Sequence, residues 1–135
     1  MNQQLAIAIK YWDHVAPLVK TPKNDEECAE LVTQLDELLD IVGSDEEHKL
    51  MSLVDIISNL ISAYEEKYLQ EHKSTGVDAL KYLMDAHHLS QADLSEVASQ
   101  GVMSEILSGK RKLNTRQIKL LAKRFNVSTA TFIDD

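Results

Sequence analysis

The residues best suited to chemistry lie between Ser90 and Arg116, and that chemistry is recognition of a polyanion. Ser99, Gln100 and Gly101 open a short apolar-periodic segment, and Ser104 lies one turn further along the same face. Their side chains are polar or absent, so they can face bases. A glutamine amide can make paired hydrogen bonds with adenine, and a serine hydroxyl can serve several bases. The competing reading makes Ser99 only a helix cap and Gln100 only solvated. Lys110, Arg111 and Lys112 follow at once as a dense cationic cluster suited to phosphates. The amides near Asn114 and Thr115 open the next helix, where unpaired N–H groups and the helix dipole can hold a further phosphate. Gln91 holds the matching place on an earlier helix, and Arg116, on a basic outer face, is a further DNA-contact candidate. Glu105 is an anion inside the base-facing segment. It either accepts from a cytosine amine or points away from the groove.

Other chemistries find no support in the sequence. His14, His48, His72, His87 and His88 are scattered, Cys28 stands alone, and there is no C-x-x-C or H-x-x-x-H pair. A metal site is therefore not expected. No glycine-rich phosphate loop, nucleophile elbow or triad candidate appears, so neither catalysis nor a cofactor is expected. Cys28 sits on an apolar stripe and reads as core.

The elements that position the polyanion site are short helices. Ser90, with Asp93 three residues on, caps a first helix carrying Leu94 and Val97. Val102, Ile106 and Leu107 mark a second, which Gly109 can stop in a left-handed conformation. Two short helices joined by a tight turn form a helix-turn-helix, whose second helix enters the DNA major groove. Before it, Thr75 and Asp78 cap a helix over Val77–His88, with Leu80, Leu83, Met84 and His87 on one face. One of His87 and His88 is expected in the core and the other in solvent. After it, Asn114 and Gln117 cap a helix with Ile118, Leu121, Ala122 and Phe125 inward and Arg116, Lys119, Lys123 and Arg124 outward. A final short helix brings Phe132 and Ile133 to the core.

The N-terminal half is also helical. Leu5, Ile9, Trp12, Ala16 and Val19 mark a helix that ends or kinks near Pro17. Asn24 and Glu27 cap a second helix, with a stripe of Cys28, Leu31, Val32, Leu35, Leu38, Leu39 and Val42, closed by Gly43. Ser44 and Glu47 read as a capping pair for a third helix, Asp45 to Glu71, which with the second makes a hairpin. So small a core leaves apolar surface for dimerisation or a partner. His72–Gly76 is the expected domain boundary.

Composition sets the outer bounds. The chain has 135 residues, 44% of them hydrophobic, with few glycines and prolines, which favours an all-α fold. No apolar run is long enough for a membrane span, and the N-terminus does not read as a signal peptide. The lone cysteine fits a reducing compartment such as the cytoplasm. The net charge of −8 argues at first against nucleic acid, but it is unevenly placed. Residues 101–135 carry seven Lys/Arg against three Asp/Glu, whereas residues 1–100 carry seven against nineteen. The basic end suits a polyanion, and the acidic end suits either solvent or a basic protein.

The run from Leu89 to Asp134 resembles the Cro/C1-type (XRE-like) helix-turn-helix family. Gln91, Leu94, the SGKRKL step at 108–113, Leu121-Ala122 and the NVS step at 126–128 carry the resemblance. The five helices expected from Val77 onward match that family's count. The whole chain is more specifically similar to HigA-type antitoxins. That similarity implies an N-terminal region, residues 1–72, for dimer formation and toxin contact, and a DNA-binding domain, residues 73–135. It further implies a homodimer that binds its own operator DNA, and a small basic RelE-like mRNA-cleaving toxin of the HigB type as partner. The alternative is a stand-alone helix-turn-helix regulator whose N-terminal half only dimerises or senses a ligand. A pure interaction module with an inactive DNA-binding fold is a third reading, which the cationic cluster disfavours.

Overall fold

A computed structural model describes residues 1–72 and 75–134. Among these the chain is all helical, in the order α1 (Gln3–Lys10), α2 (Trp12–Val15), α3 (Asp25–Val42), α4 (Met51–Glu71), α5 (Gly76–Ala86), α6 (Gln100–Leu107) and α7 (Thr115–Phe125). Short 3-10 turns cover Ala16–Leu18, Gln91–Leu94 and Thr129–Phe132. The chain forms two compact units, Met1–Ile61 and Ser62–Asp135, and the unit boundary falls within α4. The boundary expected at His72–Gly76 includes Lys73 and Ser74, which lie outside the described residues.

In the first unit, α3 follows its sequence signals. The Asn24 side chain accepts from the Glu27 N–H at 2.8 Å, and Gly43 ends the helix at φ +61°. Cys28, Leu31, Val32, Leu38 and Val42 are buried, but Leu39, expected on the same stripe, is exposed. The N-terminal segment departs from expectation. Its helix breaks already at Tyr11, before the 3-10 turn that contains Pro17, and no residue of α1 or α2 is buried. Leu5, Ile9 and Trp12 are each about half exposed. Periodic spacing creates a face that could be buried but does not supply the surface to cover it.

The third expected helix is also shorter, because α4 begins at Met51 rather than Asp45. Ser44 and Glu47 form no capping box. Instead the Asp45 carboxylate accepts from the Glu47 N–H at 3.0 Å, and His48 Nδ1 accepts from the Leu50 N–H at 3.0 Å. Local side-chain acceptors of this kind hold backbone in turns in competition with a helix.

The second unit has the better-sealed core. Leu80, Leu83, Leu94, Met103, Ile106 and Leu121 are fully buried, with Val97, Phe125 and Phe132 nearly so. Its five elements from Gly76 onward include two 3-10 turns, so the expected first helix of the helix-turn-helix is a 3-10 turn, Gln91–Leu94. Phe132 closes the core as expected, whereas Ile133 is exposed. The C-terminal turns of α4 are part of this unit. Glu65, fully buried, accepts from His87 Nε2 at 2.8 and 3.0 Å, and the His87 ring meets Phe125 edge-on at 5.3 Å. Ser62 donates to the Asn126 carbonyl, Glu66 accepts from the Ser128 N–H at 2.7 Å, and Tyr68 stacks on Tyr82. His88 is exposed, at φ +55°.

Candidate nucleic-acid interface

The segment expected to face bases is presented on the surface. Ser99 caps α6, its hydroxyl accepting from the Val102 N–H at 3.3 Å. Met103 and Ile106 are fully buried and fix the inner side of the helix. Gln100, Gly101, Ser104 and Glu105 are left exposed. A Cβ added to Gly101 would meet nothing within 4 Å, so the backbone there stands open to close approach. Ser99 caps the helix and remains exposed.

Gly109 stops α6 at φ +83°, and the Lys110 and Arg111 N–H groups donate back to the Glu105 carbonyl at 2.9 and 3.2 Å. This capped end projects Lys110, Arg111 and Lys112 as an exposed loop. The Glu105 carboxylate takes a course the sequence did not suggest, pairing with Arg111 Nε at 2.8 Å. Both side chains are about half exposed, so the pair contributes at most ~1 kcal/mol of stability. Its consequence is geometric, because it turns the anion toward the cationic loop.

Asn114 and Gln117 form the expected capping box, each side chain accepting from the other's N–H at 2.8 and 2.9 Å. Thr115 is exposed at the first turn of α7, and Gln91 is half-buried at the start of the 3-10 turn before α6. Asp93 accepts from the Ser90 N–H at 2.8 Å and its hydroxyl at 3.0 Å, and these bonds, the backbone one first, hold its pKa below the ordinary carboxylate value.

Arg116 is placed differently from the other cations. Its terminal nitrogens donate to the Val97 and Glu96 carbonyls at 3.1 and 3.3 Å. The Glu96 carboxylate pairs with Arg124. Its pKa is lowered, first by a backbone hydrogen bond of its own residue and then, against some desolvation, by Arg124. Glu96 and Arg124 lie 28 positions apart and carried no local signal that they would meet. Among the described residues no cluster could hold a metal ion, and no helix is long and apolar enough to cross a membrane.

A buried-core helical unit that exposes a glycine- and serine-bearing helix beside a cationic loop is a helix-turn-helix DNA-binding domain of the XRE type. Residues 80–132 match the helix-turn-helix family HTH_3. The chain is also 34% identical to the antitoxin HigA of Escherichia coli (strain K12) and to that of Shigella flexneri, over 89% of its own length and 88% of theirs. It therefore belongs to the HigA antitoxin family, and it is an antitoxin-type transcription regulator.

Proposed function

We propose that the protein neutralises a HigB-type, RelE-like mRNA-cleaving toxin and represses its own operon by sequence-specific DNA binding as a homodimer in the cytoplasm. The observation that carries the DNA half is the exposed face of α6, with Gln100, Gly101 and Ser104 outward over a sealed inner side. In this reading Ser99, Gln100, Gly101 and Ser104 meet base edges. Lys110, Arg111 and Lys112 hold phosphates, as do the helix starts at Gln91 and at Asn114–Thr115. Residues 73–135 carry this task and residues 1–72 carry dimer formation and toxin contact. The half-exposed Leu5, Ile7, Ile9 and Trp12 support an interface in the N-terminal region. The acidic faces from Glu26 to Asp40 and from Asp45 to Asp55 suit a basic toxin, and such association would be fast and salt-sensitive. Glu65 and Glu66, at the end of the expected second face, are instead held by His87 and the Ser128 N–H.

The test has two arms. Coexpression with the small open reading frame beside the gene should rescue growth, and purification of the complex should return both chains. The upstream promoter should shift in a mobility assay at two half-sites about one helical turn apart, or a multiple of it. Rescue without a promoter shift would remove the repressor role. A shift with no toxin partner would leave a stand-alone regulator.

A further inference from the structure

The turn formed by residues 95–98 delivers the chain into α6, and α7 grips it from the side. Helical acceptors resume only at the Ser99 carbonyl, which takes the Met103 N–H at 2.8 Å. The Glu96 and Val97 carbonyls precede that point, and one Arg116 guanidinium bridges both. About two helical turns further along α7, Arg124 pairs with the carboxylate of the same Glu96. Arg116 and Arg124 stand eight residues apart on α7, about 12 Å along the axis at 1.5 Å per residue. Two points of attachment at that spacing restrain the turn in both position and tilt.

We infer that Arg116 and Arg124 are positioning residues: acting through Glu96 and Val97, they set the angle at which Ser99, Gln100 and Gly101 leave the domain, and Arg116 is a strut rather than a phosphate ligand. This rests on the reading that α6 contacts bases. The consequence is selective. A phosphate contact adds affinity for every sequence alike, whereas base-edge contacts depend on orientation. Loosening the strut weakens operator binding while leaving general DNA affinity and its salt dependence in place.

Arg116→Lys separates the two roles, because lysine serves a phosphate as a point charge but lacks the planar fork that spans two carbonyls. Operator and scrambled duplexes are titrated with the full-length protein, the variant and Arg116→Ala over a range of salt. The strut predicts that Arg116→Lys loses about tenfold on the operator, the scale of one base contact, and less than twofold on the scrambled duplex, with an unchanged salt slope. A phosphate role predicts wild-type behaviour for Arg116→Lys, and for Arg116→Ala a slope shallower by about 0.9 on both duplexes; either result overturns the inference, as does an equal loss on both duplexes. Hydrogen exchange without DNA gives an independent readout. Amides 97–102 should lose protection in Arg116→Lys and in Glu96→Gln while those of α5 do not, and unchanged protection overturns the strut. Wild-type protein that fails to prefer the operator would count against base reading itself, leaving the exchange result to decide the strut.

Discussion

Replacing His87 by alanine should be among the most damaging single changes in the second unit. Glu65 is completely buried, and both of its carboxylate oxygens lie within 3.0 Å of His87 Nε2. The alanine variant strands that carboxyl in an apolar interior and removes a ring packed on Phe125. A polar group sealed from water without its partner costs free energy. Breaking a buried pair from one side costs about 3–5 kcal/mol, a large share of the roughly 5–15 kcal/mol that holds a domain folded. At about 5 °C per kcal/mol for a unit of this size, the melting temperature should fall by roughly 15–25 °C. Glu65→Leu combined with His87→Leu should recover most of the loss, since an apolar pair needs no compensation. Urea and thermal melts followed by circular dichroism measure both. A loss below about 1 kcal/mol for His87→Ala would refute the argument that Glu65 depends on this partner.

Further outcomes follow from other parts of the fold. Gly76→Ala should unfold or severely destabilise the second unit, because a Cβ there would overlap the Phe132 carbonyl, and melts will register the loss. Lys110→Ala and Lys112→Ala should each weaken binding to all duplexes about equally and flatten the salt slope by about 0.9, leaving sequence preference intact in titrations. Asp93 and Glu96 have depressed pKa values in the folded chain, so their stabilisation is present above the ordinary carboxylate range. It should fade as pH falls from about 4.5 through their lowered values. Asp93→Asn should remove its share of that acid sensitivity in pH-dependent melts.

The sequence by itself determined what is decided locally. Caps at Asn24, Thr75, Ser99 and Asn114, the stop at Gly109, and the apolar period of α3, α5 and α7 all depend on residues within one or two turns of each other. They could therefore be read from spacing, as could the exposed face of α6. Tertiary structure alone decided the pairings across distance. Nothing in the residues beside Glu65 marks it for burial, and Gly76 falls in the expected boundary, yet one is sealed against His87 and the other is pressed on Phe132. Arg116 reads from spacing as one more outward cation of α7, yet its guanidinium donates to the Val97 and Glu96 carbonyls about twenty positions away. Periodicity also promised burial for Leu5, Ile9 and Trp12, and none is buried. The physical reason is common to these cases. Local chemistry sets what a residue can do within its own turn of chain, but burial and charge pairing depend on which distant surface the packed fold brings against it.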